Sequence, residues 1–141
     1  MEKRGNVKRI HHIGVIVADA DSVASMLERS LGLQVSQTEE YGHGESKIVF
    51  LPIGETAIEL IQPLSPNSEA ARYLRDNGPG IQHIALEVDE LDSAMGRVRL
   101  SGAQLQDDLP RQGAGGTQIA FLDPKSFGGF MVELCEVLND R

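Results

Sequence analysis

From Ile10 to Val17 apolar residues alternate with polar or small ones, the period of a strand with one buried face. Ile13, Val15 and Val17 share a side with His11, while His12 and Gly14 point the other way. The period then changes. Val23, Met26, Leu27 and Leu31 recur at helical spacing, which predicts a helix over 19–31. Asp19 or Asp21 caps it, and Gly32 stops it where a left-handed residue is wanted. Three more strands are expected near 33–37, 47–51 and 56–61. The unit reads βαβββ.

The same order then recurs. Ile10, His12, Ile13, Val17, Asp21 and Ser22 are answered, at a constant offset, by Ile81, His83, Ile84, Val88, Asp92 and Ser93. A helix over 90–101 carries Leu91, Met95, Val98 and Leu100 and ends at Gly102. Ile48-Val49-Phe50-Leu51 matches Ile119-Ala120-Phe121-Leu122, and Ile58-Glu59-Leu60 matches Val132-Glu133-Leu134. Strands are expected near 103–105, 117–122 and 130–136. Matches kept in order through both halves mark a duplicated module. Between the copies, Pro63-Leu64-Ser65-Pro66-Asn67-Ser68 is rich in turn residues, and 68–77 reads as a short helix ended by Asn77-Gly78-Pro79-Gly80. The expected architecture is α+β: one domain over 1–141, with module 1 about 8–63, a linker helix about 64–79 and module 2 about 80–137.

Duplication also sorts the candidate chemistry. In the closing strands Ile58 and Leu60 oppose Ala57, Glu59 and Ile61, and Val132 and Leu134 oppose Met131, Glu133 and Cys135. His12, Glu59, His83 and Glu133 therefore all project away from the helix-packed face, His12 matching His83 and Glu59 matching Glu133. A single strand histidine is ordinarily a surface or satisfied core residue. Glutamate, though, is depleted in strands and costly to bury without a partner. Two matched His–Glu sets favour ligands, and two imidazoles with two carboxylates suit a divalent first-row metal.

Composition narrows the partners. The chain has 141 residues, 40% hydrophobic and 24% charged, which excludes a disordered polymer. With four Phe, two Tyr and no Trp, aliphatic side chains must build the core. A net charge of −8 argues against a nucleic-acid backbone as partner. An anionic small molecule needs only a few local cations, and Arg72, Arg75, Arg111 and Lys125 are candidates for holding phosphates, though each alone reads as a solvated charge. Cys135 is the only cysteine, so no intrachain disulfide forms, and it reads as a small core residue. The opening Met1–Asn6 is polar and no segment approaches the ~20 apolar residues of a membrane span. A cytoplasmic protein without a membrane partner is expected. His43, between Gly42 and Gly44, reads as an exposed loop residue. Gly113-Ala114-Gly115-Gly116 lacks the Gly-Lys-Ser/Thr ending of a phosphate loop and reads as a strand connection.

Four segments carry a family resemblance: Ile10-His11-His12-Ile13-Gly14, Ile58-Glu59-Leu60-Ile61-Gln62-Pro63-Leu64, Gly80-Ile81-Gln82-His83-Ile84-Ala85, and the stretch from Phe121 to Leu134 with its Pro124-Lys125, Gly128-Gly129 and Val132-Glu133-Leu134. Over about 8–137 the chain resembles the vicinal oxygen chelate superfamily (glyoxalases, bleomycin resistance proteins, dioxygenases), and within it the methylmalonyl-CoA epimerases. The resemblance implies two tandem βαβββ modules forming a cupped eight-stranded mixed sheet around a metal. It places the metal ligands on His12, Glu59, His83 and Glu133, with Glu133 also a catalytic acid/base. It further implies a divalent ion (Co2+ foremost, with Ni2+, Mn2+ or Zn2+ as alternatives), an acyl-CoA thioester substrate, and a homodimer. The implied reaction interconverts R and S methylmalonyl-CoA through a metal-stabilised enolate.

A second acid/base is needed on the opposite face of the α-carbon. Some family members place a glutamate in the strand that here reads Lys47-Ile48-Val49-Phe50, and the matching position is Ile48. Glu45 in the adjacent loop, or another group, would take that part. Two other readings use the same residues or the same fold: a glyoxalase I type lactoylglutathione lyase, with an identical ligand set, and a non-catalytic small-molecule-binding module. An extradiol dioxygenase is disfavoured, because its iron takes two His and one carboxylate.

Overall fold

The alternating run forms strand β1 (Val7–Ile16), and the first amphipathic stretch forms helix α1 (Ala20–Leu31). The structure is a computed structural model and describes residues 4–138. Of the two candidate caps, Asp19 is the one used: its carboxylate accepts the Ser22 N–H at 3.1 Å, and Gly32 closes the helix at φ 74°. Asp21 instead receives the ammonium of Lys47. The chain continues through β2 (Gln37–Tyr41), β3 (Ser46–Ile53), β4 (Thr56–Pro63) and helix α2 (Glu69–Asn77), whose N-cap Ser68 accepts the Ala71 N–H at 3.1 Å. Then come β5 (Gly80–Val88), α3 (Leu91–Ser101), β6 (Arg111–Gln112), β7 (Thr117–Phe121), a 3-10 turn over Pro124–Phe127, and β8 (Val132–Val137).

The strands form one eight-stranded sheet in the order β2-β3-β4-β1-β5-β8-β7-β6. It is mixed. β1 runs parallel to β4 and β5 parallel to β8, while β2–β3, β3–β4, β6–β7 and β7–β8 are antiparallel. With three α-helices this is the expected α+β class.

The chain divides into two compact units, His12–Gln82 and the residues up to 11 with those from 83 onward. In the 12–82 unit α1 packs Ala20 and Ala24 against Val49, Leu51 and Leu60, with Val15, Val23, Leu27 and Ile58 at the margin. In the other unit α3 packs Leu91, Ala94 and Met95 against Ala120, Leu122, Val132 and Leu134. Its opposite sheet face carries a second apolar cluster of Ala85, Ile119, Phe121 and Cys135, with Met131 beside it.

The N-terminal segment is fastened to this second unit. The Asp89 carboxylate accepts the N–H groups of Gly5 (2.7 Å) and Asn6 (2.9 Å). Gly5 has φ +74° and lies on the first turn of α3, where an added Cβ would come within 2.3 Å of the Ala94 nitrogen. Only glycine meets both demands.

Two expected strands are displaced. The stretch 33–37 is coil up to Ser36, and the polar run Gln37–Tyr41 pairs with β3 instead. Leu33 and Val35 pack under α1, so their apolar character serves a coil. In the second copy 103–105 contributes one bridge, Leu105 to Leu122, and the short strand forms at Arg111–Gln112.

Candidate active site

Strand alternation delivers the four sequence candidates to the face away from the helices. On β1, His12, Gly14 and Ile16 are buried in turn, while Val15 borders the α1 core. On β4, Ile58 and Leu60 pack with α1 and Glu59 points the other way. In the 12–82 unit His12 Nδ1 lies 3.2 Å from Glu59 Oε2. In the other unit His83 Nε2 lies 3.2 Å from Glu133 Oε1. All four residues are buried, with exposures of 3–5%.

Register explains how each pair closes. Glu59 is the parallel partner of Gly14, and Glu133 is the parallel partner of Ala85. Each histidine stands two residues before that partner, on the same face. The residue beside each carboxylate is thus glycine or alanine, with no bulk to hold the glutamate off its imidazole. The repeat has kept this spacing twice.

A carboxylate buried in an apolar surrounding is costly unless its charge is met. A cation relieves the cost. The donor set of imidazole nitrogen and carboxylate oxygen, held by rigid strands, fits a divalent first-row ion.

Further groups order the 83–138 side. Phe121, in register with Glu133, presents its ring to His83 with centroids 5.4 Å apart and planes at 89°. The guanidinium carbon of Arg111 lies over the same ring, 5.2 Å from its centroid. Asp107 Oδ2 accepts Arg111 Nε at 3.2 Å and the Phe121 N–H at 2.8 Å. Sequence reading passed over Phe121 and Asp107. The matching of Phe50 with Phe121 in the repeat marked the first, and nothing marked the second.

Glu87 continues the face of His83 and Ala85 and receives Arg9 Nε at 2.5 Å and Lys8 Nζ at 3.4 Å. Burial works to raise its pKa, but the hydrogen bonds and charges of Arg9 and Lys8 outweigh burial and hold it below the ordinary value of 4.5. His11 is half-buried beside them. Burial first, then the Arg9 charge, keeps its imidazole below the usual 6.5, against the opposing pull of Glu87 and Glu133.

The remaining candidates lie elsewhere. Ile48 is buried on the Glu59 face, in register with Ile61. Glu45 is exposed in the β2–β3 turn, as is His43, which adopts φ 58°. Arg72 and Arg75 donate to the Asn67 and Pro66 carbonyls and so brace the start of α2. Lys125 is exposed in the 3-10 turn, and Cys135 is fully buried. Among the described residues no helix is long and apolar enough to cross a membrane.

The chain belongs to the Glyoxalase/Bleomycin resistance protein/Dioxygenase superfamily, whose family model matches residues 11–121. Within it, the chain is 35% identical over 134 residues to an ethylmalonyl-CoA/methylmalonyl-CoA epimerase of Cereibacter sphaeroides, covering 93% of this chain and 99% of that one. Among solved structures, it is similar to methylmalonyl-CoA epimerase from Mycobacterium tuberculosis, with a TM-score of 0.91 and 30% identity over 99% of this chain and 94% of that one. It is also similar to a methylmalonyl-CoA epimerase in complex with methylmalonyl-CoA and NH4+, with a TM-score of 0.88 and 29% identity over 94% and 96% of the two chains.

Proposed function

We propose that this chain is a methylmalonyl-CoA epimerase, interconverting the R and S forms of the thioester at the α-carbon. The observation that carries the proposal is the pair of buried His–Glu couples at matching places in the repeat, His12 with Glu59 and His83 with Glu133. The relatives' substrate supports the same reaction. His12, Glu59, His83 and Glu133 would together hold one divalent cation, with Co2+ the expected ion. When bound, that cation offsets the negative charge that develops on a thioester oxygen as the α-C–H bond breaks.

The chain's own residues do the rest. Glu133 takes the α-proton from one face of the carbon. Its neighbours on that face are Ala85, Phe121, Met131 and Cys135, an apolar wall that excludes water. A second group returns a proton to the opposite face. Position 48 is aliphatic, so the part falls to a residue such as Glu45 in the β2–β3 turn. A soluble homodimer in the cytoplasm belongs to the same reading.

The test is α-proton exchange in deuterated water, read by mass spectrometry, with cobalt-loaded protein and methylmalonyl-CoA beside a chelated control. Metal-dependent deuterium uptake is expected, and Glu133→Gln abolishes it. No uptake with metal bound would move the assignment to the glutathione hemithioacetal lyase. No uptake and no metal would leave a binding module.

A further inference from the structure

The apolar wall around Glu133 has one member that is not closed off. Across the sheet, Glu133 is in register with Ala85 on one side and Phe121 on the other. Along its own strand, Met131 and Cys135 flank it on the same face. Met131 precedes β8, but its carbonyl accepts the Ile84 N–H at 3.2 Å, so the strand alternation reaches back to it. It packs against the cluster of Ala85, Ile119, Phe121 and Cys135. Those four are buried, Ala85 and Cys135 completely, and Phe121 is further engaged by the edge of its contact with His83. Met131 alone is half-buried.

The repeat identifies this position as a rim. Gly14, Ile48, Phe50, Ala57 and Ile61 match Ala85, Ile119, Phe121, Met131 and Cys135. The residue two places before the glutamate is half-buried in both copies, and the other four are buried in both. That rim residue is alanine in the first copy and methionine in the second. Of the five matched pairs, it differs most in side-chain length.

Chemistry decides what meets it. A thioester that presents its α-hydrogen to Glu133 brings the other substituents of that carbon to the same wall. The thioester carbonyl and the free carboxylate are polar. The α-alkyl group is the substituent that gains by leaving water for apolar side chains. Ala85, Ile119 and Cys135 are packed shut, and Phe121 is committed to His83. Methionine is unbranched and adapts to irregular gaps, so it is the member that yields to a small group and limits a larger one.

We infer that Met131 packs against the α-alkyl group of the substrate and sets how large that group can be. The inference rests on the epimerase reading above, with Glu133 as the group that takes the α-proton.

The test is kcat/KM for α-proton exchange with methylmalonyl-CoA and butylmalonyl-CoA, measured on metal-loaded wild type and Met131→Ala. One methylene in an apolar pocket changes kcat/KM by about 10- to 200-fold. Met131→Ala is therefore expected to raise the butyl-to-methyl ratio by at least about tenfold. Met131→Val opens less room, raises the ratio less, and carries the test if the alanine variant does not fold. A ratio that is unchanged or falls in the folded variant overturns the inference. So does an equal loss for both substrates, which would mark Met131 as packing support alone. A wild type that exchanges neither substrate would overturn the epimerase reading and the inference with it. Exchange by the wild type with a ratio that Met131 does not move overturns the inference only.

Discussion

The ring of Phe121 stands edge-on to that of His83, with 5.4 Å between centroids and 89° between planes. The contact restrains the imidazole whose Nε2 lies 3.2 Å from Glu133. A ring free to turn would present its nitrogen to a metal only part of the time. Phe121→Leu is therefore expected to lower cobalt affinity by about 10- to 100-fold, the range for residues that orient a ligand. The accompanying stability loss should stay well below the about 3–5 kcal/mol of a Phe→Ala truncation. A cobalt titration beside a thermal melt checks this, and wild-type affinity in the leucine variant would show that the ring does not position His83.

How much of this was legible in the chain follows from where burial speaks. His12 and His83 could each be placed opposite the helix-packed residues because β1 and β5 alternate, whereas β4 and β8 are buried on both sides and there Glu59 and Glu133 stood out as the charged residues between apolar neighbours. The edge strands could not be read this way. Gln37–Tyr41 has no buried residue and is held by backbone pairing to β3, and Arg111–Gln112 is polar and only two residues long. Leu33 and Val35 misled for the converse reason, as apolar coil sheltering under α1. Asp107 also stayed hidden. Its place depends on β7 returning the Phe121 amide beside it, a contact across fourteen positions that no local pattern signals.

Glu87 supplies a pH-dependent prediction. Its carboxylate is buried and bonded to Arg9 and Lys8, and its pKa lies below 4.5 in the folded protein. A carboxyl depressed by folding stabilises the native state above its unfolded pKa, and that stabilisation is lost as pH falls through the folded pKa. Glu87→Gln should cost about 1–3 kcal/mol near neutral pH, by leaving the Arg9 charge without its carboxylate. The difference from wild type should shrink steadily below about pH 4.5. Urea unfolding at pH 7 and pH 3.5 gives the comparison. A gap that stays constant with pH would mean that packing, not charge, is what the substitution removes.

Gly5 tests whether the N-terminal segment is held by shape. Gly5→Ala must place a Cβ against the Ala94 backbone at 2.3 Å and also accept φ +74°. Gly54, at φ +58° with nothing within 4 Å, poses the backbone demand alone. Gly54→Ala should cost about 1–2 kcal/mol, the ordinary left-handed penalty. Gly5→Ala should either exceed it or release the segment. In the second case the Gly5 and Asn6 amides, bonded to Asp89, lose hydrogen-exchange protection while α3 keeps its own. Equal effects from the two substitutions, with protection retained, would show that the approach to α3 relaxes without cost.

Metal removal separates ligands from acid/base groups. An ion that binds only the native state stabilises it by about 2.7 kcal/mol at a free concentration a hundred times its Kd. Cobalt should therefore raise the wild-type melting temperature, and a chelator should reverse the rise. If His12, Glu59, His83 and Glu133 all hold the ion, Glu59→Gln and Glu133→Gln each shrink that increment, because a neutral amide is a weaker ligand than a carboxylate. Glu45→Gln should leave the increment whole, since Glu45 sits exposed in the β2–β3 turn, yet slow α-proton exchange if it is the second acid/base. A full cobalt increment in Glu59→Gln would reduce the ligand set to two histidines and one carboxylate. Glu59, 3.2 Å from His12 Nδ1, would then stand outside the ligand set and be a candidate for the second proton carrier in place of Glu45.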